Sequence, residues 1–241
     1  QMNPEWEEKD KNLSKAVNFI KEAAALQCDA IVFPEMFTTG FAMNICKIME
    51  PLSGKSLKML SGLAKKYAIN IICGVAVLPD GANKGFNSSF VLDRNGSLIA
   101  EYIKNHPFSF AGEDKFYEAG TDTVIFNIDE IPASVFICYD LRFPELFRKV
   151  AREARMIFVI ANWPSSRKDH WEALLKARAI ENQCFIIGVN RTGKDGNGIE
   201  YHGGSMVFDP SGNMLCRCGE GEQLFVCEID PEETNAVRAH Y

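Results

Sequence analysis

A chain of 241 residues, 46% hydrophobic and 24% charged, has the balance of a soluble globular protein and the length to build one substantial core. Its net charge of −6 leaves no basic footprint for nucleic acid, and its lysines and arginines are scattered rather than massed. No apolar run reaches bilayer-spanning length, so neither a polyanion nor a membrane is an expected partner.

The helical spacing of Leu13, Ala16, Val17, Ile20 and Ala24 predicts a first helix from about Lys11 to Gln27. Ala30 to Phe33 reads as a short buried strand ended by Pro34-Glu35. A second helix is expected after Ser53, burying Leu57, Leu60, Ala64 and Tyr67, and then an apolar strand from Ile69 to Leu78. Strands from Phe86 to Leu92 and from Ser97 to Lys104 flank Asp93-Arg-Asn-Gly96, where Asn-Gly suits a tight turn with positive φ. In the second half, Val124 to Ile128 and Ser134 to Cys138 read as strands, and Pro144 to about Glu153 as a helix. A strand at Met156 to Ile160 and a long helix over Asp169 to Asn182 follow. The last strands are expected at Phe185 to Val189, Gly204 to Phe208 and Gln223 to Ile229, with Gly193 to Gly198 as a flexible turn. Alternating strands and helices imply an α/β fold with helix-covered sheets, and the hairpins make those sheets mixed rather than purely parallel. No linker or composition break divides the chain, which reads as one domain over residues 1–241. Such a fold normally opens with a strand, so a first strand and a C-terminal tail are expected to be missing from this segment.

The eight cysteines suggest no disulfide framework. Most lie in apolar strand-like runs such as Ile71-Ile-Cys-Gly-Val75, where they read as reduced core residues in a reducing, cytoplasmic compartment. Cys216 and Cys218 lack the further ligands of a zinc site and read as two residues on one face of a strand.

Cys138 differs from the others by its place. The run Ala133-Ser-Val-Phe-Ile-Cys138 ends an apolar strand at a cysteine, with a polar turn and a helix beyond it. A strand-to-helix turn lifts one side chain out of the sheet, and a helix N-terminus favours thiolate and offers N–H groups to an oxyanion. A buried cysteine acting as a small hydrophobe fits the same position. Three more polar residues stand at or near strand ends: Glu35, Lys104 and, in the loop beyond it, Glu113. Strand ends converge on one rim of a sheet, where α/β proteins place their sites. A buried carboxylate as general base, a lysine facing an oxyanion and a thiol nucleophile make chemical sense together. Taken singly, Glu35 reads rather as a helix or loop cap, Lys104 as a solvated strand end and Glu113 as a surface residue beside Asp114.

The blocks Phe-Pro-Glu35-Met-Phe, Lys104-Asn-His-Pro-Phe and Ile-Cys138-Tyr-Asp-Leu-Arg-Phe-Pro-Glu, with Gly112-Glu113 between the last two, resemble the signature blocks of the nitrilase (carbon–nitrogen hydrolase) superfamily, in that family's order. The resemblance implies a four-layer α-β-β-α sandwich with mixed sheets, commonly paired with a second subunit as a homodimer or higher homo-oligomer. It implies that Glu35 takes the proton of Cys138 and that the thiolate attacks an amide carbonyl. Lys104 and the backbone N–H of Tyr139 would hold the oxyanion, with Glu113 positioning Lys104 or substrate, and neither metal nor organic cofactor would be needed.

A narrower resemblance, to the omega-amidase branch, lies in Glu35-Met-Phe-Thr-Thr-Gly-Phe41, Asn162-Trp-Pro-Ser-Ser-Arg167 and the helix from His170 to Asn182. It implies small 2-oxo acid amides as substrates, which are anions and call for a cation besides Lys104. Arg167 is the first candidate and Arg142 the second, although an ion pair with Glu145 is the simpler expectation for Arg142. Trp163 and Phe41 would wall the pocket. Other carbon–nitrogen hydrolase substrates (a nitrile, a carbamoyl amine, an aliphatic amide) share the same triad, and a non-catalytic scaffold would be expected to have lost part of it. His106 raises a Cys–His alternative, but with Glu35 available as base it reads as structural. Gly54-Lys55-Ser56 is no phosphate loop, because Met49 stands where the leading glycine belongs.

Overall fold

The computed structural model describes residues 1–240. The first half runs through helix α1 (Lys9–Ala25), strand β1 (Ala30–Val32), a single turn α2 (Ile45–Ile48) and helix α3 (Lys55–Tyr67). Strands β2 (Asn70–Val77), β3 (Phe86–Leu92) and β4 (Leu98–Ile103) follow. These strands form a four-stranded sheet in sequence order, with β1 parallel to β2 and the remaining pairs antiparallel. The second half contains β5 (Phe126–Ile128), β6 (Ile131–Ile137), α4 (Pro144–Val150), β7 (Met156–Ala161), α5 (Lys168–Asn182) and β8 (Phe185–Asn190). Beyond them lie β9 (Thr192–Lys194), β10 (Glu200–His202), β11 (Met206–Phe208), β12 (Met214–Arg217) and α6 (Glu232–His240). Six of these strands form a second sheet in the order β12-β11-β8-β7-β6-β5, parallel at its centre and antiparallel at both edges.

Burial explains the layering. Leu13, Ile20, Leu57 and Leu60 of α1 and α3 share one core with Ile71, Val75 and Phe90 of the first sheet. Leu146 and Phe147 of α4 and Trp171 and Leu175 of α5 pack with Phe136, Phe158 and Phe185 of the second. Ile72, Val91 and Tyr102 point the other way and join that second core between the sheets. The result is the expected α-β-β-α sandwich. A strand covered on both faces has no solvated side, which is why β2 is buried along its whole length and reads as one apolar run.

Three expectations are corrected. Among the described residues no strand forms over Gln223 to Ile229. Its ladder-like contact is one reciprocal backbone pair between Gln223 and Gln1, at 3.0 and 3.2 Å, while Leu224 and Ile229 turn into the two cores. The cysteines are not all reduced, because Cys216 of β12 is disulfide-bonded to Cys227 where the chain returns past that edge strand. The Gly193 to Gly198 turn is the ordered tip of the β9–β10 hairpin, where Asp195 Oδ1 accepts the backbone N–H groups of Asn197 and Ile199, both at 2.9 Å. Among the described residues no helix is long and apolar enough to cross a membrane.

Candidate active site

Four strands deliver the polar groups from their carboxyl ends. Glu35 follows β1 through Pro34, and Met36 beside it is forced to a φ of 46°. This tight turn lies against Gly74 of β2, where an added Cβ would stand 2.7 Å from the Glu35 Cα and the Met36 nitrogen. Lys104 follows β4 and is tied to β3 by its backbone N–H, which donates to the Asn87 carbonyl at 2.9 Å. Glu113 opens a 3-10 turn just after Gly112, whose φ is 74°. Cys138 follows β6, has a φ of 48° and begins the 3-10 turn Cys138–Arg142. A non-glycine residue in that region is held there by its surroundings. The holder is buried Asp140, which accepts the Tyr102 hydroxyl at 2.8 Å, the Ile137 N–H at 3.3 Å and the His106 N–H at 2.9 Å.

Glu35, Lys104 and Glu113 are buried together. Lys104 Nζ lies 2.8 Å from Glu35 Oε1 and 2.9 Å from Glu113 Oε2. Asn87 Nδ2 donates to Glu35 Oε1 at 2.7 Å and to Glu113 Oε1 at 2.8 Å. Asn162, just past β7, donates its backbone N–H to Glu35 Oε2 at 2.9 Å and its side-chain amide to the Glu35 carbonyl at 2.7 Å. Glu113 also accepts the Phe108 N–H. The Cys138 sulfur lies within electrostatic reach of this group and donates to the Asn162 carbonyl at 3.8 Å.

Burial pushes the Glu35 carboxyl up, but Lys104, Asn87 and the Asn162 N–H together outweigh it and hold Glu35 below the ordinary range. Glu113 sits above that range, raised by burial and by the charge of Glu35 against the pull of Lys104. Burial would lower Lys104, yet the two carboxylates keep it well above its ordinary value and therefore charged. Burial and the Glu35 charge raise the Cys138 thiol well above its usual value, against the opposing effect of Lys104. The expectation that the site favours thiolate is thereby corrected: burial first, and then the two carboxylates, keep the proton on the sulfur.

The sulfur opens on a cavity of about 120 Å³. Glu35, Lys104 and Cys138 line its floor, and Tyr139, Phe41 and Trp163 line its walls, with Arg142 and Arg167 beside them. Trp163 Nε1 donates to the Arg167 carbonyl at 2.8 Å, pinning the loop that carries this arginine. Arg167 lies over the Phe108 ring at 5.2 Å and Arg142 over the Trp163 ring at 5.0 Å. Among the described residues neither arginine is in an ion pair, and the expected Arg142–Glu145 pair is corrected. Glu145 lies exposed in the first turn of α4, where a carboxylate suits the helix dipole, and Arg142 turns toward the cavity and His170 Nδ1 at 3.1 Å. Among the described residues no group of three or more His, Cys, Asp or Glu side chains is arranged to hold a metal ion.

The family model for carbon–nitrogen hydrolases matches residues 1–239. This chain belongs to the carbon–nitrogen hydrolase family. It is 36% identical over 229 residues to the 2-oxoglutaramate amidase of Bacillus subtilis (strain 168), covering 94% of this chain and 87% of that protein. To the omega-amidase YafV of Escherichia coli (strain K12) it is 37% identical over 213 residues, 88% of this chain and 80% of the other. The crystal structure of XC1258 from Xanthomonas campestris, a CN-hydrolase superfamily protein, superposes with a TM-score of 0.94 at 31% identity. It covers all of this chain (100%) and 92% of that one.

The structure of this hydrolase brings every sequence-predicted site residue to one place: Glu113 lies behind Lys104, and the others line the cavity. His106 lies outside that lining, with Nδ1 on Asp140 at 2.8 Å and its ring stacked on Phe143 at 3.5 Å, in keeping with its structural reading. Sequence reasoning missed Asn87, Asn162 and Asp140, and it missed the wall formed by Asn197, Ile199 and Tyr201 of the β9–β10 hairpin. Asn162 had a signal, standing just past a strand as Glu35 and Lys104 do. Asn87, inside a strand beside two serines, had none beyond being polar where a covered strand should be apolar.

Proposed function

We propose that this hydrolase is a cysteine-dependent amidase that converts the terminal amide of small 2-oxo acid amides, 2-oxoglutaramate and 2-oxosuccinamate, to the acid and ammonia. The observation that carries the reading is a Cys138 thiol beside Glu35 and Lys104 on one cavity, which is also lined by two arginines that have no carboxylate partner among the described residues. Cys138 gives its proton to Glu35 as the sulfur attacks the amide carbon, so no free thiolate need persist in the resting site. The carbonyl oxygen takes up the negative charge, opposite Lys104 Nζ and the Tyr139 N–H. Tyr139 stands in the first turn of the 3-10 segment, where backbone N–H groups lack intrahelical acceptors. Glu35 next protonates the nitrogen, the C–N bond breaks, ammonia leaves and a thioester remains on Cys138. Glu35 then takes a proton from water, the hydroxide adds to the thioester, and the proton returns to the departing sulfur. Glu113 keeps Lys104 charged and aimed, and Arg142 and Arg167 receive the substrate carboxylate between Trp163 and Phe41.

Support comes from two directions. Unpaired guanidinium groups beside a cavity are matched to an anionic amide and would be wasted on an uncharged nitrile or aliphatic amide. The relatives named as 2-oxoglutaramate amidase and omega-amidase share this length of chain. The test is ammonia release from 2-oxoglutaramate, 2-oxosuccinamate, glutamine and a simple nitrile, with wild type and Cys138→Ala. The expected result is turnover of the two oxo-acid amides that vanishes in the variant. Turnover of the nitrile or glutamine alone would contradict the substrate class.

A further inference from the structure

Asn87 touches Lys104, Glu35 and Glu113, yet the reaction assigns it no step. It sits on β3 opposite Ala76 of β2. Its carbonyl accepts the Lys104 N–H, and its two amide protons go one to Glu35 and one to Glu113, at 2.7 and 2.8 Å. The amide must face this way, because the flipped orientation would set Oδ1 against two carboxylate oxygens. In this orientation the buried Oδ1 has no protein partner.

We propose that Asn87 is a positioning residue of the amidase reaction: by donating to both carboxylates at once it holds them on either side of Lys104 and keeps Glu35 ready to accept the Cys138 proton. The proposal rests on the reading of Glu35 as the base. Glu35 is faced by Lys104 from the end of β4, Glu113 from its 3-10 turn, Cys138 from the turn after β6, the Asn162 N–H after β7 and the buried Tyr117, which feels the charges of both carboxylates. Arg142 and Arg167 lie on the same cavity. Lys104 supplies an ammonium that reaches both carboxylates, and Asn87 supplies a neutral second donor to both. Replacing the amide by a carboxyl group leaves two alternatives. Either a third negative charge enters the cluster, or a shared proton serves one carboxylate and leaves the other without its donor. Both raise the affinity of Glu35 for a proton.

The test compares wild type, Asn87→Asp and Asn87→Ser in two pH profiles: kcat/KM for 2-oxoglutaramate, and the rate at which iodoacetamide alkylates Cys138, read by peptide mass. In Asn87→Asp the acid limb of both profiles is expected to move up by about one pH unit or more, a loss of at least about tenfold below the limb. The plateau KM should stay within about threefold of wild type, because no contact to bound substrate is removed. Asn87→Ser keeps one O–H donor and should move both limbs the same way by less. Profiles that superimpose on wild type in a folded variant, or rates lowered equally at every pH, would overturn the proposal. If Asn87→Asp does not fold, Asn87→Ser decides alone. Should wild type not turn over 2-oxoglutaramate, the substrate reading fails while the alkylation profile still decides for or against Asn87.

Discussion

Cys138 rests as a thiol because burial and two neighbouring carboxylates outweigh Lys104, and Glu35 rests ionised because four N–H groups serve its carboxylate. Donor and acceptor of the first proton transfer are thus both in the form that step requires. Arg142 and Arg167 sit farther out on aromatic faces, and among the described residues neither would have to break an ion pair to meet a carboxylate. Each charge-assisted contact is worth about 1.5–3 kcal/mol, so Arg167→Ala and Arg142→Ala should each raise KM for 2-oxoglutaramate by about tenfold to a hundredfold. Steady-state kinetics would show little change in kcat, and an unchanged KM in both variants would remove the arginines from the binding role. At this scale the glutamates, the lysine and the cysteine were legible through the family blocks that carry them, because a polar residue ending an apolar strand has by itself an ordinary structural explanation. Asn87 and Asn162 were not, since an amide becomes informative only when the carboxylates it serves, 52 and 127 residues away, are folded onto it.

The elements matter here through their ends. β1 and β2 run parallel, so the turn after β1 must cross the backbone of β2, and Gly74 makes room for it. Gly74→Ala would press a methyl group to 2.7 Å from the Glu35 Cα and 2.9 Å from the Pro34 carbonyl, backbone contacts that no side-chain rotation relieves. A displacement of about 1 Å in a reacting group lowers rates by about a hundredfold, so kcat should fall by that order while the circular dichroism spectrum stays that of a folded protein. Activity within about threefold of wild type would show that the turn adjusts freely. The covered strands and amphipathic helices were readable from apolar period and Asn-Gly punctuation. The Gln223 to Ile229 segment was misread because alternation shows a face to bury, and a ladder also needs a neighbouring strand, which tertiary structure supplies. The β9–β10 hairpin escaped notice because its glycines signal a turn whether or not an aspartate orders it.

At the scale of the whole molecule, two sheets packed face to face bury titratable groups deeply. Burial raises Cys73 from 9.0 to about 12, and it raises Cys138, Cys184, Tyr102 and Tyr117 as well. For each of these the unfolded chain loses its proton first as pH rises, so the unfolded state binds fewer protons and stability falls. The contribution is complete below the unfolded value near 9 and is lost progressively up to about pH 12 for Cys73, a term of about 4 kcal/mol for that one thiol. Urea denaturation at pH 8, 9, 10 and 11 should therefore show a midpoint that declines steadily above about 9, and a flat midpoint would show that these thiols are not buried as described. Helix-covered sheets followed from the alternation of elements and mixed pairing from the hairpins, whereas the four-layer order came from the family resemblance. The Cys216–Cys227 bond did not, because pairing depends on which edge the returning chain passes.

The claim on which the account turns is that the reaction passes through a thioester on Cys138. Its most direct test is acid quenching of the enzyme during steady turnover of 2-oxoglutaramate, followed by the mass of the peptide carrying Cys138. The account predicts a 2-oxoglutaryl adduct on that peptide in wild type, and neither adduct nor ammonia from Cys138→Ala. Ammonia released by Cys138→Ala at an undiminished rate, with no adduct on the wild-type peptide, would contradict it.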